Sequence, residues 1–221
     1  MHGAVERDVS FEATTGRLRG RLTSPVGKGW GAVVLSHGRH EDMNGPLLVA
    51  LARGAADLGL WSLRFNFAFA DAGSDPSGET ADEIAELREA ITVARATCRV
   101  ETTFVAGRGL GAWASIAAAT DERTDGAILL GPSYAGQPER RIAFGRLAEF
   151  EIPTLVLVGS ESNRTDLPLL KELVDSLPNV NLEVLAGADH RFRSAVGRPM
   201  TEAVLFPVEA WLRLRKEERL E

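Results

Sequence analysis

Apolar positions along this chain follow two alternating patterns, and their succession predicts the architecture. The segments carrying Val5, Arg7, Val9 and Phe11 and, past Thr14-Thr15-Gly16, Leu18, Gly20 and Leu22 alternate as the arms of a hairpin do. Residues 31–36 (GAVVLS) are instead an unbroken apolar run, the mark of a strand buried on both faces. A helical period follows over 46–58 through Leu47, Leu51, Ala55 and Leu58, with Pro46 suited to a first turn. The order then repeats: strand 61–67 (WSLRFNF), a polar loop over 71–78, and a long helix over 80–98. That helix carries Ile84, Leu87, Ile91 and Val93-Ala94 on its apolar side, and Thr80 with Glu83 suggests a capping box. Strand 103–107, helix 110–119, strands 127–131 and 154–159, helix 167–177, strand 181–185 and a last helix from about 200 to 215 complete it.

Strands alternating with helices in this way imply an α/β fold: a mostly parallel sheet with helices on both faces. A chain of 221 residues fits a single domain, residues 1–221. The least regular stretch, 132–151, is too short for a lid and reads as a loop with a helical turn.

Charge and cysteine usage narrow the function classes. The net charge is −6 and the basic residues are dispersed, so nucleic acid is not an expected partner. No apolar run approaches the ~20 residues of a membrane helix. No basic start followed by an apolar stretch marks a secretory signal, so a cytoplasmic location is expected. The single cysteine, Cys98, excludes an internal disulfide and cysteine-based zinc sites, and reads as a small buried helix residue. No metal-ligand cluster is visible and no cofactor is implied. His2 and His40 have no informative context.

In an open parallel sheet, ligands bind beyond the carboxyl ends of the strands. Four loops there carry candidate chemistry. The segment 103–114 (TFVAGRGLGAWA) has the strand-turn-helix setting of a nucleophile elbow, G-x-S-x-G, but glycine stands at 109 where the serine belongs. The amide of Leu110 would still offer a hydrogen bond at the helix N-terminus. The same residues match a dinucleotide fingerprint, G-x-G-x-x-A. That reading lacks its usual place in the first βα unit and the carboxylate expected about 20 residues on.

The loop after 31–36, His37-Gly38-Arg39, can supply a second oxyanion-hole N–H from Arg39, with His37, Gly38 and Ser133 as candidate substrate contacts. The loop after 154–159 offers Glu161 and Asp166 as candidate acids, and Asp166 is also a simple helix cap. His190, after the last strand, completes the order nucleophile, acid, histidine, and can act as base and then acid near neutrality.

These segments resemble the α/β-hydrolase superfamily and, more narrowly, its dienelactone-hydrolase-like KANL3/Tex30 group. The carriers are LSHGRHEDMNGP, LRFNF, VAGRGLG, ILLGP, PTLVLVGSES and LAGADHRF, with Asn44 where an aspartate is common. The resemblance implies a lid-poor hydrolase fold. It also implies that Gly109 occupies the serine position of a GRSMGG pattern and Ser162 the acid position. His190 and the oxyanion segments match.

An acyl-enzyme at Gly109 is impossible, since glycine has no side chain to acylate. Ser115, Ser133, Ser160, Ser162 and Cys98 are the other nucleophiles, and none has elbow geometry. The expected function is therefore a pseudo-hydrolase binding a small molecule or a protein partner, a homodimer included. Two alternatives stay open. One is a lyase-like enzyme using His190 as base with Glu161 orienting it. The other is an atypical hydrolase of small esters or lactones.

Overall fold

The computed structural model describes residues 4–25, 27–134 and 139–219. His2 and residues 135–138 of the irregular stretch lie outside them. β1 (Glu6–Ala13) and β2 (Gly16–Thr23) form the expected hairpin, turning through Gly16 at φ +121°. β2 lies antiparallel to β4 (Leu60–Phe65). β4 runs parallel with β3 (Gly31–Ser36), β5 (Thr103–Arg108), β6 (Gly126–Leu130), β7 (Thr154–Gly159) and β8 (Val180–Leu185). The sheet order is β1-β2-β4-β3-β5-β6-β7-β8.

Alternation sorts the buried strands' side chains into two cores. Val34, Leu63, Phe65, Val105, Leu129, Val156 and Val158 face one side of the sheet. There they meet α3 (Ala81–Cys98), α4 (Leu110–Asp121), α5 (Glu139–Glu149) and α6 (Leu167–Asp175). Their neighbours Val33, Leu35, Phe104, Ala106, Ile128 and Leu157 face the other side, under α1 (Pro46–Asp57) and α7 (Thr201–Glu218). The apolar runs were unbroken because both faces of these strands are covered.

Three local expectations need correction. The chain after β4 does not go straight into a loop but makes a short helix, α2 (Ala68–Ala72), closed by Gly73 in the left-handed region. The stretch read as a loop with one helical turn forms the three-turn α5, because Phe144 and Leu147 bury themselves against α4. Trp113 of α4 and Tyr134 each pack edge-on against the Phe144 ring. The cap of α3 is Ser77 rather than Thr80. Ser77 Oγ accepts from the Asp82 N–H, and the Glu83 carboxylate accepts from the Ser77 N–H and hydroxyl. A single 3-10 turn at Gly78–Thr80 shifts the register, and Thr80 itself sits at φ 57°.

The LRFNF segment is a brace for the loop after β3. Arg64 is buried, and its guanidinium donates to the Met43 carbonyl and to Glu6 on β1. Asn66 Oδ1 accepts from the Met43 N–H, while its amide nitrogen donates to Asp71. The step from β3 to β4 goes one way and the step from β4 to β5 crosses back. This reversal leaves a crevice at the carboxyl ends of β3 and β5, where a ligand site is expected.

Candidate functional site

The turn from β5 into α4 passes through Gly109 at φ 54°, ψ −107°, a conformation that favours glycine. The flanking glycines have a different origin. A Cβ on Gly107 would lie 2.1 Å from the Gly111 carbonyl oxygen, and one on Gly111 would lie 2.6 Å from Ser36 Oγ. Both therefore permit α4 to sit close against β5 and β3. At Gly109 the only neighbour a Cβ would meet is the Gly38 Cα, 3.9 Å away, so the direction a side chain would take is open.

Leu110 and Arg39 line the space in front of this turn. Among the described residues, neither backbone N–H has a hydrogen-bond partner. Both N–H groups are therefore left without a partner at residues that line the cavity beside Gly109. Gly38 leaves room beside them for Arg108. A Cβ there would press within 3.1 Å of Arg108 Nη1, whose guanidinium pairs with Glu41 at 2.5 Å.

His37 does not contact the cavity, which corrects its assignment as a substrate contact. It is fully buried; its Nε2 accepts from the Phe67 N–H (3.1 Å) and its Nδ1 faces the Gly38 carbonyl (2.8 Å). That pattern fixes a neutral ring protonated on Nδ1. Burial pulls its pKa below the ordinary range, against the charges of Asp42, Glu41 and Asp71. The residue holds the first loop onto the end of β4.

His190 and Ser133 both face the cavity. Burial pulls the His190 pKa below its ordinary range. The Asp189 charge opposes this, and the charges of Arg191, Arg164 and Arg108 add to it. Among the described residues, no carboxylate hydrogen-bonds or ion-pairs with the His190 ring. Asp189 is occupied instead, its Oδ1 accepting from the N–H groups of Arg191 and Arg193, each at 2.8 Å.

Neither candidate acid reaches His190. Glu161 is exposed and accepts from the Ser160 hydroxyl at 3.0 Å, so it does not orient the imidazole as the lyase-like alternative required. Asp166 caps α6 by accepting from the Leu169 N–H. Ser162, which the resemblance sets at the acid position, donates to Thr165 Oγ1 and accepts from the Arg164 N–H. Of the other nucleophiles, Ser115 is fully buried on α4, and the half-buried Cys98 thiol on α3 is pushed up to about 11 by burial.

The cavity in front of Gly109 has a volume of about 990 Å³, at the upper end of small-molecule sites. One wall is apolar, formed by Ile84, Trp113, Ile116, Ala117 and Ala143. Around it stand six arginines: Arg39, Arg108, Arg140, Arg146, Arg164 and Arg191. The role of these side chains was not read from the sequence. A signal was present, since each of the four loops at this edge carries one: Arg39, Arg108, Arg164 and Arg191. Among the described residues, no group of His, Cys, Asp and Glu could hold a metal ion, and no helix is long and apolar enough to cross a membrane.

Comparison with known proteins places this geometry. A sequence model of the family described as alpha/beta hydrolase domain matches residues 30–206. A putative alpha/beta hydrolase from Agrobacterium tumefaciens, itself of unknown function, superposes with a TM-score of 0.79 at 21% identity, covering 96% of this chain and 97% of that one. A dienelactone hydrolase from Anabaena variabilis gives 0.72 at 19% identity, with 96% and 98% covered. An alpha/beta serine hydrolase without a lid from Xanthomonas campestris gives 0.69 at 16% identity, with 99% and 95% covered. None of the curated proteins matches the chain in sequence.

Proposed function

Since this chain belongs to the alpha/beta hydrolase family, we propose that it is a pseudo-hydrolase, a protein that uses the family's crevice to hold a small molecule without serine-type turnover. The observation that carries this reading is the glycine at 109. The turn has a positive-φ glycine at its apex, with two unpartnered N–H groups at Leu110 and Arg39, and nothing at that apex can be acylated. That no carboxylate among the described residues hydrogen-bonds or ion-pairs with the His190 ring supports the same reading, because a triad histidine needs an acid to fix its tautomer and stabilise its charge. A cavity of this volume supports a small molecule over a protein partner at this face. The LRFNF and VAGRGLG segments support a place in the KANL3/Tex30-like group, and a cytoplasmic location belongs to the proposal.

The test is chemical labelling. A fluorophosphonate probe should leave the protein unlabelled, and a panel of p-nitrophenyl esters and thioesters should show no turnover. Gly109→Ser should acquire slow labelling, because the amides and His190 are in place. Its ester turnover should stay about 10⁴-fold below that of a complete triad for want of the acid. Labelling of any serine in the unaltered protein would overturn the proposal.

A further inference from the structure

The cavity's charge is opposite to that of the chain. On a molecule of net charge −6, it is lined by six arginines and only two acidic residues, Glu41 and Glu79. Four of the six are engaged. Arg39 pairs with Asp75 and Arg146 with Asp121 on exposed surface, and Arg108 pairs with Glu41. Arg140 lies over the Trp113 ring at 4.3 Å and donates to the Ser133 carbonyl. The remaining two, Arg164 and Arg191, have no acidic partner among the described residues. They come from different loops, after β7 and β8, and their charges both act on His190. Both are exposed at the cavity, and guanidiniums without a carboxylate partner are suited to pairing with a multiply charged oxyanion in fork geometry.

The apolar part of the lining sets the rest of the ligand. Ile84, Trp113, Ile116, Ala117 and Ala143 offer apolar surface with no charge of their own, and Arg140 stacked on Trp113 extends it. We propose that the cavity binds a phosphate monoester with an apolar tail. The dianionic head sits between Arg164 and Arg191 beside His190, and the tail lies along Trp113, Ile116 and Ala143. The free N–H groups of Leu110 and Arg39 supply further donors to the phosphate oxygens. The inference rests on reading the cavity as a ligand site. It does not depend on whether a serine is acylated, so fluorophosphonate labelling would overturn the earlier proposal and leave this one standing.

The experiment is calorimetric titration of the full chain with n-octyl phosphate, octanoate, octanol and inorganic phosphate. Octyl phosphate should bind at least about tenfold more tightly than each of the others, and its affinity should fall as salt is raised. Arg164→Gln/Arg191→Gln should weaken octyl phosphate about tenfold or more without shifting the urea midpoint, since neither guanidinium supports the fold. Trp113→Ala should weaken octyl phosphate and leave inorganic phosphate unchanged. Equal binding of octanoate and octyl phosphate, absence of octyl phosphate binding, or an unchanged affinity in the double arginine variant would each overturn the proposal.

Discussion

Three glycines in one turn serve two purposes, and each purpose makes its own prediction. Gly109 is required by torsion alone, so Gly109→Ala should cost about 1–2 kcal/mol for a Cβ in the left-handed region. Gly107→Ala and Gly111→Ala place a Cβ within 2.1 and 2.6 Å of other atoms, so α4 must move off the sheet. Each should cost about 3 kcal/mol or more. Urea denaturation of the three variants checks this, and equal losses would show that the outer glycines are not packing residues. The same turn marks the limit of reading single residues. That glycine stands at the centre of a strand-turn-helix elbow was visible in GRGLG. That a side chain there would point into open space, and that His190 has no carboxylate partner, were not. Glu161 follows its strand at a plausible interval, but its carboxylate turns to its own neighbour's hydroxyl. Spacing along a loop does not fix which way a side chain faces.

Elements buried on both faces were legible within a residue or two, because strands such as β3 and β7 are fully buried and apolar but for one terminal residue each, Ser36 and Thr154. α5 was not, because its stability is borrowed from its neighbours. It carries Gly145 mid-helix and turns Ile142 to solvent, so its own periodicity is weak. Phe144 anchors it, fully buried between Trp113 and Tyr134. Phe144→Ala should cost about 3–5 kcal/mol and loosen α5. Hydrogen exchange should then show lost protection over residues 139–149 ahead of the sheet; protection that stays intact would mean that α5 stands without this contact. The cap of α3 was misplaced for a related reason. The Glu83 carboxylate was available to a hydroxyl on either side of the 3-10 turn, and backbone geometry favoured Ser77.

For the molecule as a whole, acid stability is tied to His37, buried between the first loop and β4. Its folded pKa lies below the ordinary 6.5, because burial disfavours the imidazolium and Nε2 already accepts from the Phe67 N–H. The unfolded chain therefore takes up this proton first as pH falls. His37's contribution is complete above about 6.5 and is lost progressively as pH drops towards the folded value. Unfolding free energies between about pH 8 and about pH 5 should fall with acid, and His37→Gln should reduce that slope. An identical slope in the variant would locate the acid sensitivity elsewhere.

At this scale the division between sequence and structure is clear. The order of strands and helices, the family resemblance and the glycine-centred elbow at 107–111 all follow from local composition, since hydrophobic period and turn chemistry act between near neighbours. The sheet order sets which loops share the crevice, and only the folded chain revealed it. Arginines from loops far apart in sequence converge there on an apolar wall partly built by α5. Charge acts through space, so a cationic cavity can lie within an acidic chain without leaving a basic run in its sequence.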